Sequence, residues 1–240
     1  GKGCGVNVDC KSGLCAVGAC ATTEPVITAV SAAGHDRLFN LAFDAQGSIL
    51  AVGVTAPGTD AMTDFSTLVA KFTPQGVLDT TFGNNGFFSK NITVGTNGEL
   101  GRGIGFQSSG KIVITSTVEQ VGAADARDRD VAVMRLNADG TLDASFGNNG
   151  VAIINLSEGV AVGAGFSADS VWHFIVQPDD KIVFVGSQVR PGGTDTDFVM
   201  MRLLPDGAVD NAFGTAGKVL VDIGNVNGNA RSVTRLADGS

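Results

Sequence analysis

The chain has no tyrosine and one tryptophan, Trp172. Carbohydrate clefts usually stack sugars on such rings, so a lectin or a glycosidase is disfavoured. Histidine is scarce too: His35 in "AGHDRL" and His173 in "SVWHFI", at non-equivalent places. No H-E-x-x-H, G-x-S-x-G or P-loop occurs, so the common metalloprotease, hydrolase and phosphate-cradling motifs are missing. A site at His35–Asp36 or Trp172–His173 is conceivable, but a half-buried histidine is the simpler reading. The glycine cluster "GRGIG" (101–105) lacks the strand–helix context of a dinucleotide site. Basic residues number 16 against 24 acidic ones, a net charge of −8. Nucleic-acid binding needs a basic footprint, and anionic membrane would repel this chain. Cations and basic surfaces are the charged partners that remain, with solubility alone the plainer account. No apolar run approaches the ~20 residues that span a bilayer.

Cysteine is absent after position 20. All four cysteines lie in "CGVNVDCKSGLCAVGAC", at Cys4, Cys10, Cys15 and Cys20. Crowded among Gly, Ser and Asp, they read as a two-disulfide microdomain over residues 1–20, with three connectivities open. The rival is a Cys₄ zinc site, but the first spacing is C-x₅-C where zinc pairs favour C-x₂₋₄-C. Disulfides imply an oxidising compartment, hence an exported chain from which a signal peptide has been removed. A short linker, "ATTEP" (21–25), follows.

What is abundant is glycine, 34 residues beside only 6 prolines, and the arrangement is repetitive. "VLDTTFGNNGF" (77–87) returns as "TLDASFGNNGV" (141–151) and as "AVDNAFGTAGK" (208–218), a period of about 64 residues. Each unit holds four short apolar stretches separated by Gly/Asp/Asn turns, rich in Val, Ile and Phe as strands are. The units run over about 37–94, 100–157 and 168–224, and a partial one starts at 231. Stretches such as "ILAVGV" and "KIVFVG" are continuously apolar, as a strand covered on both faces is. Four antiparallel strands per repeat with both faces covered predict an all-β fold, a β-propeller of four-stranded blades over 26–240. A β-sandwich is second, but it gives no reason for the period.

The pattern in "DVAVMRLNADGTLDASFGNNG" and "DFVMMRLLPDGAVDNAFGTAG" resembles the delta-60 repeat, a propeller-like repeat of secreted bacterial proteins. The likeness covers roughly residues 37–240. It implies the fold and an extracellular setting, and little about activity. The "DCKSGLC" segment is similar to cysteine-rich stretches of myxobacterial-type surface proteins.

A residue that recurs in every unit usually serves the unit. The glycines at 83, 147 and 214, and at 86, 150 and 217, are expected at positive φ. Phe82, Phe146 and Phe213 are expected to plug the space between blades; an exposed platform for sugars is the alternative. Lys71, Arg135 and Arg202 each precede an acid by eight positions: Asp79, Asp143 and Asp210. A turn lies between, so one register-fixing ion pair per blade is expected. Asp64, Asp130 and Asp197 open the third strand, with Asp60, Asp128 and Asp195 just before them. Paired carboxylates could hold Ca²⁺; turn capping is the favoured reading because their spacing varies.

The ends carry a further expectation. "PVITAV" (25–30) looks like a fourth strand without its own blade, and residues 231–236 like a first strand without partners. Three blades and two fragments cannot close a ring of the about four to eight blades that propellers need. Either a longer propeller or a second chain that completes the ring is expected. In function, a non-catalytic extracellular or cell-surface module for adhesion or interaction is the leading expectation, without a cofactor and with an unidentified protein or surface partner. A Ca²⁺- or small-ligand-binding propeller comes next, and a polysaccharide-acting enzyme last.

Overall fold

A computed structural model describes residues 15–16, 19–20, 30, 35–56, 64–93, 98–119, 128–158, 169–190, 195–224 and 226–237. Cys4, Cys10, Asp60 and residues 26–29 lie outside these. Strands β1 (Cys15–Ala16) and β2 (Ala19–Cys20) pair antiparallel, with Cys15 and Cys20 as backbone partners.

Twelve further strands form three four-stranded antiparallel sheets. The first holds β3 (His35–Phe43), β4 (Ile49–Ala56), β5 (Ser66–Phe72) and β6 (Phe87–Lys90). The second holds β7 (Leu100–Phe106), β8 (Ile112–Glu119), β9 (Arg129–Leu136) and β10 (Val151–Ile154). The third holds β11 (Ser170–Val176), β12 (Ile182–Val189), β13 (Thr196–Leu203) and β14 (Lys218–Val221). In each sheet the strands lie side by side in chain order. Five-residue turns (44–48, 107–111 and 177–181) join the first two strands of each sheet and longer stretches join the rest, so every pairing is between neighbours in the chain and the sequence period becomes one sheet per repeat.

The sheets stack face to face. Ile112, Ile114, Met134 and Leu136 of the second sheet join Leu50, Val52, Val69 and Phe82 of the first in one core. Val113, Val131 and Val133, the alternate positions on the same strands, join Phe174, Phe184, Val199 and Met201 of the third in another. Successive side chains point to opposite faces of a strand, so Ile112, Val113 and Ile114 must all be apolar to serve both cores. The first strand of the second sheet approaches β4 on one side and β11 on the other where "GRGIG" supplies glycine. A Cβ on Gly101 would stand 2.4 Å from the Gly53 carbonyl oxygen, and one on Gly103 would stand 2.6 Å from the Phe174 ring. That glycine cluster serves packing between blades.

The outer faces of the end sheets carry exposed apolar side chains: Leu38, Leu41 and Phe43 on one, Val219 and Val221 on the other. Of 25–30 only Val30 is described, at a bend; its amide donates to Asp36 Oδ2 (3.0 Å). Residues 231–236 are not a strand, contrary to the sequence reading. A first strand is held by hairpin pairing to the second strand of its own blade, and none exists among the described residues. The segment instead leans on β11 and β12, where the Val233 amide donates to His173 Nδ1 (3.3 Å) and the preceding Ala230 amide to the Gly186 carbonyl (3.2 Å).

Candidate functional site

Most recurring residues serve the blades. Phe82 and Phe146 are 1% and 0% exposed. Each closes on the next blade: a Cβ on Gly140 would meet the Phe82 ring at 2.9 Å, and one on Gly207 would meet Phe146 at 2.7 Å. Beside each ring a backbone bond crosses between blades, from the Gly83 amide to the Asp139 carbonyl (2.7 Å) and from Gly147 to Asp206 (2.8 Å). Phe213 departs from the pattern. It is half-buried, because no following blade stands against it among the described residues. The loop glycines have positive φ, 53°, 51° and 56° at Gly83, Gly147 and Gly214, and 98°, 95° and 86° at Gly86, Gly150 and Gly217.

The basic residues sit between ring and acid. Arg135 Nε and Arg202 Nε donate to Asp143 Oδ2 and Asp210 Oδ2, each at 2.8 Å. Their guanidinium groups lie 4.9 and 4.6 Å from the centroids of Phe146 and Phe213. Lys71 holds Asp79 more loosely, at 3.8 Å, and shares itself with Asp44 at 3.6 Å. Burial alone would raise the Asp143 pKa, but hydrogen bonds from Ser145 and Lys111 and the Arg135 charge hold it well below the usual carboxylate range.

The paired aspartates behave differently from the capping expected of them. Asp130 is the second residue of β9 and Asp197 the second of β13; both are buried. Neither oxygen of Asp197, nor Oδ1 of Asp130 or Oδ2 of Asp195, has a hydrogen-bond partner. Burial, with Asp128 and Glu158 nearby, pushes Asp130 up to about 6. Burial, with Asp222 and Asp195 nearby, raises Asp197 too. Asp64 stands at φ 58° before β5, and its Oδ1 accepts from Asn91 Nδ2 (3.0 Å). Among the described residues no group of three acids, histidines or cysteines converges on a metal-sized position.

Capping falls to acids that the sequence reading missed, one just before each of the later first strands. Asp169 Oδ2 accepts the amides of Leu156 (2.7 Å) and Ser157 (2.8 Å), and its Oδ1 accepts the Ser157 hydroxyl (2.5 Å). Glu99 likewise accepts the amides of Thr67 and Thr93, at 3.2 and 2.9 Å, and that of Ile92. Each therefore ties a first strand to the end of the preceding blade. Burial raises both carboxyls against these bonds, Asp169 to about 7.

A second set also went unread. Each first strand carries a β-bulge, at Phe39, Arg102 and Trp172, where the pairing register slips by one residue. A bulge re-aims the extra side chain out of the ladder. These residues, with Arg231, stand eight positions before Gly47, Gly110, Asp180 and Gly239. In space they form one chain of contacts. Arg102 lies 5.3 Å from the Phe39 centroid and 4.4 Å from that of Trp172, and Arg231 lies 3.7 Å from Trp172. Trp172 Nε1 donates to Asn229 Oδ1 (3.2 Å), which fixes the ring. Arg102, Trp172 and Arg231 line a cleft of about 240 Å³ together with Arg129 and Thr117. Counting back from the turn residue would have aligned the three bulge positions with Arg231; the bulge itself is visible only in the strand register. His35 begins β3, and His173 is held within β11 by Val233.

A family described as "domain of unknown function (DUF5122) beta-propeller" matches residues 107–146 and 177–213. Each match runs from the first turn of a sheet to its Phe-Gly loop, in the second and third sheets. The sheets are β-propeller blades. No curated protein matches the chain. The expected fold thus stands, as three full blades whose faces pack on one another, and the cleft is built at the bulged starts of the second and third blades' first strands.

Proposed function

We propose that the protein is a non-catalytic interaction module of an exported, surface-associated protein. One observation carries this reading. The residues that recur in every blade are occupied in building blades, whereas the position eight residues before each first turn changes from Phe39 to Arg102 to Trp172 to Arg231, and the last three border a cleft. A position that varies while its scaffold repeats is where a propeller gains specificity. The delta-60 likeness and the clustered cysteines support an extracellular setting. The open apolar end faces support further blades of the same repeat, supplied by a second copy of the chain or by a longer propeller. The direct test is binding of the purified protein to bacterial surface material, with release of sugar or peptide products monitored in parallel. Saturable binding without turnover is expected. Sustained product release would overturn the reading in favour of an enzyme.

Calcium binding is a second reading, favoured by the partnerless oxygens of Asp197 beside Asp195 and Asp222. A buried carboxylate with no hydrogen bond is costly unless a cation or a proton neutralises it.

A further inference from the structure

We propose that the cleft at the first-strand bulges is an oxyanion-binding site in which Arg102 and Arg231 grip a carboxylate, sulfate or phosphate group beside the Trp172 ring. The proposal rests on the interaction reading above and names the chemistry of what is bound.

The charges come first. The protein is acidic overall, at −8, yet three guanidinium groups meet here. Arg129 is answered from within: Glu119 and Glu99 act on it electrostatically, and its Nη2 donates to the carbonyls of Gly98 and Thr117. Arg102 and Arg231 have no such answer. Among the described residues no carboxylate forms an ion pair with either, and the charge felt by Arg102 is that of Arg231, which with burial lowers its pKa. Two like charges that both contact one ring repel each other, and burial strengthens the repulsion. An anion bound by both at the ring's edge would offset it.

Blade packing does not require these charges. The equivalent position of the first blade is Phe39, an uncharged ring. Stacking engages the faces of a guanidinium and leaves its rim of N–H donors free for the bidentate bonds that suit planar or tetrahedral oxyanions. The buried Nε of Arg129 also lacks a hydrogen-bond partner, at a residue 2% exposed on the cleft wall. Thr117 Oγ1 accepts from the Val171 amide (3.3 Å), so its hydroxyl proton is left to donate. The site thus offers donors and positive charge around an aromatic ring, which is what an acidic sugar or another small oxyanion-bearing ligand would meet.

Trp172 is the only tryptophan and tyrosine is absent, so intrinsic emission reports on this cleft alone. The protein is titrated with sodium glucuronate, sodium sulfate and sodium phosphate at an ionic strength held constant with sodium chloride. The separate titrations distinguish carboxylate from sulfate and phosphate sources. A saturable change is expected with at least one oxyanion and none with neutral glucose. Arg231→Gln should weaken that binding by about tenfold, or about 1.4 kcal/mol. Arg102→Gln should weaken it to a similar degree, and Arg231→Lys should keep part of it. Arg231 is exposed, so its variants should melt like the wild type, and they carry the test if Arg102→Gln misfolds. No saturable change with any oxyanion, or an affinity that Arg231→Gln leaves untouched, overturns the proposal. Should surface material bind while no oxyanion does, the oxyanion site alone is lost. Should an oxyanion bind while no surface material does, the interaction reading is what fails.

Discussion

Phe146→Ala is the sharpest perturbation of the blade stack. The ring is fully buried between the second and third blades, with the Arg135 guanidinium 4.9 Å from its centroid and the Gly207 turn against its edge. Removing it deletes an aromatic side chain from a site that cannot collapse readily, because Arg135 is pinned by Asp143 and Gly207 by the Gly147–Asp206 bond. Large-to-small changes of this kind cost about 3–5 kcal/mol. Phe213→Ala in the same motif should cost far less, about 1–2 kcal/mol, because its ring is half-buried and faces no further blade. Urea unfolding followed by far-UV circular dichroism measures both, with the slope checked for two-state behaviour. Equal losses at the two positions, or a loss under about 1 kcal/mol at Phe146, would refute the plug reading and favour an exposed aromatic platform.

Protonation supplies a second check. Asp169 has a folded pKa of about 7 against an ordinary 3.8, so between those values the folded state holds a proton that the unfolded state has released. Stability should therefore fall as pH rises from about 4 through 7, by up to ~4 kcal/mol from this group, and Asp169→Asn should flatten that slope. Paired Asp143 has its pKa depressed and acts in the opposite sense, losing its contribution as pH falls below about 4. If calcium binds beside Asp197, adding it should raise the melting temperature and a chelator should reverse the rise. Asp197→Asn should abolish that response and stabilise the metal-free protein, whereas a calcium shift that persists in the variant would place the ion elsewhere. Mass spectrometry of the unreduced protein should find the four cysteines as two disulfides; four free thiols or stoichiometric zinc would remove the argument for export.

The blade was legible because its signals are local. The apolar stretches, the turn residues and the Phe-Gly loop all lie within one period, and Arg135 and Asp143 are eight residues apart. What escaped notice involves partners in different blades. Glu99 and Asp169 cap the preceding blade from linking stretches that carry no repeated motif. Arg102 and Arg231 are 129 positions apart, so only the stacking of blades shows that both reach Trp172. Asp197 does not cap its strand, because both of its buried carboxyl oxygens are without a hydrogen-bond partner.

Hydrogen exchange at three equivalent glycines tests the propeller stack most directly. The Gly83 and Gly147 amides donate across blade boundaries to Asp139 and Asp206, whereas the Gly214 amide has no acceptor among the described residues. Exchange should be slow at Gly83 and Gly147, approaching the protection of the core strands. Exchange at both as fast as in an exposed loop would contradict the stacking of blades through the repeated Phe-Gly loop.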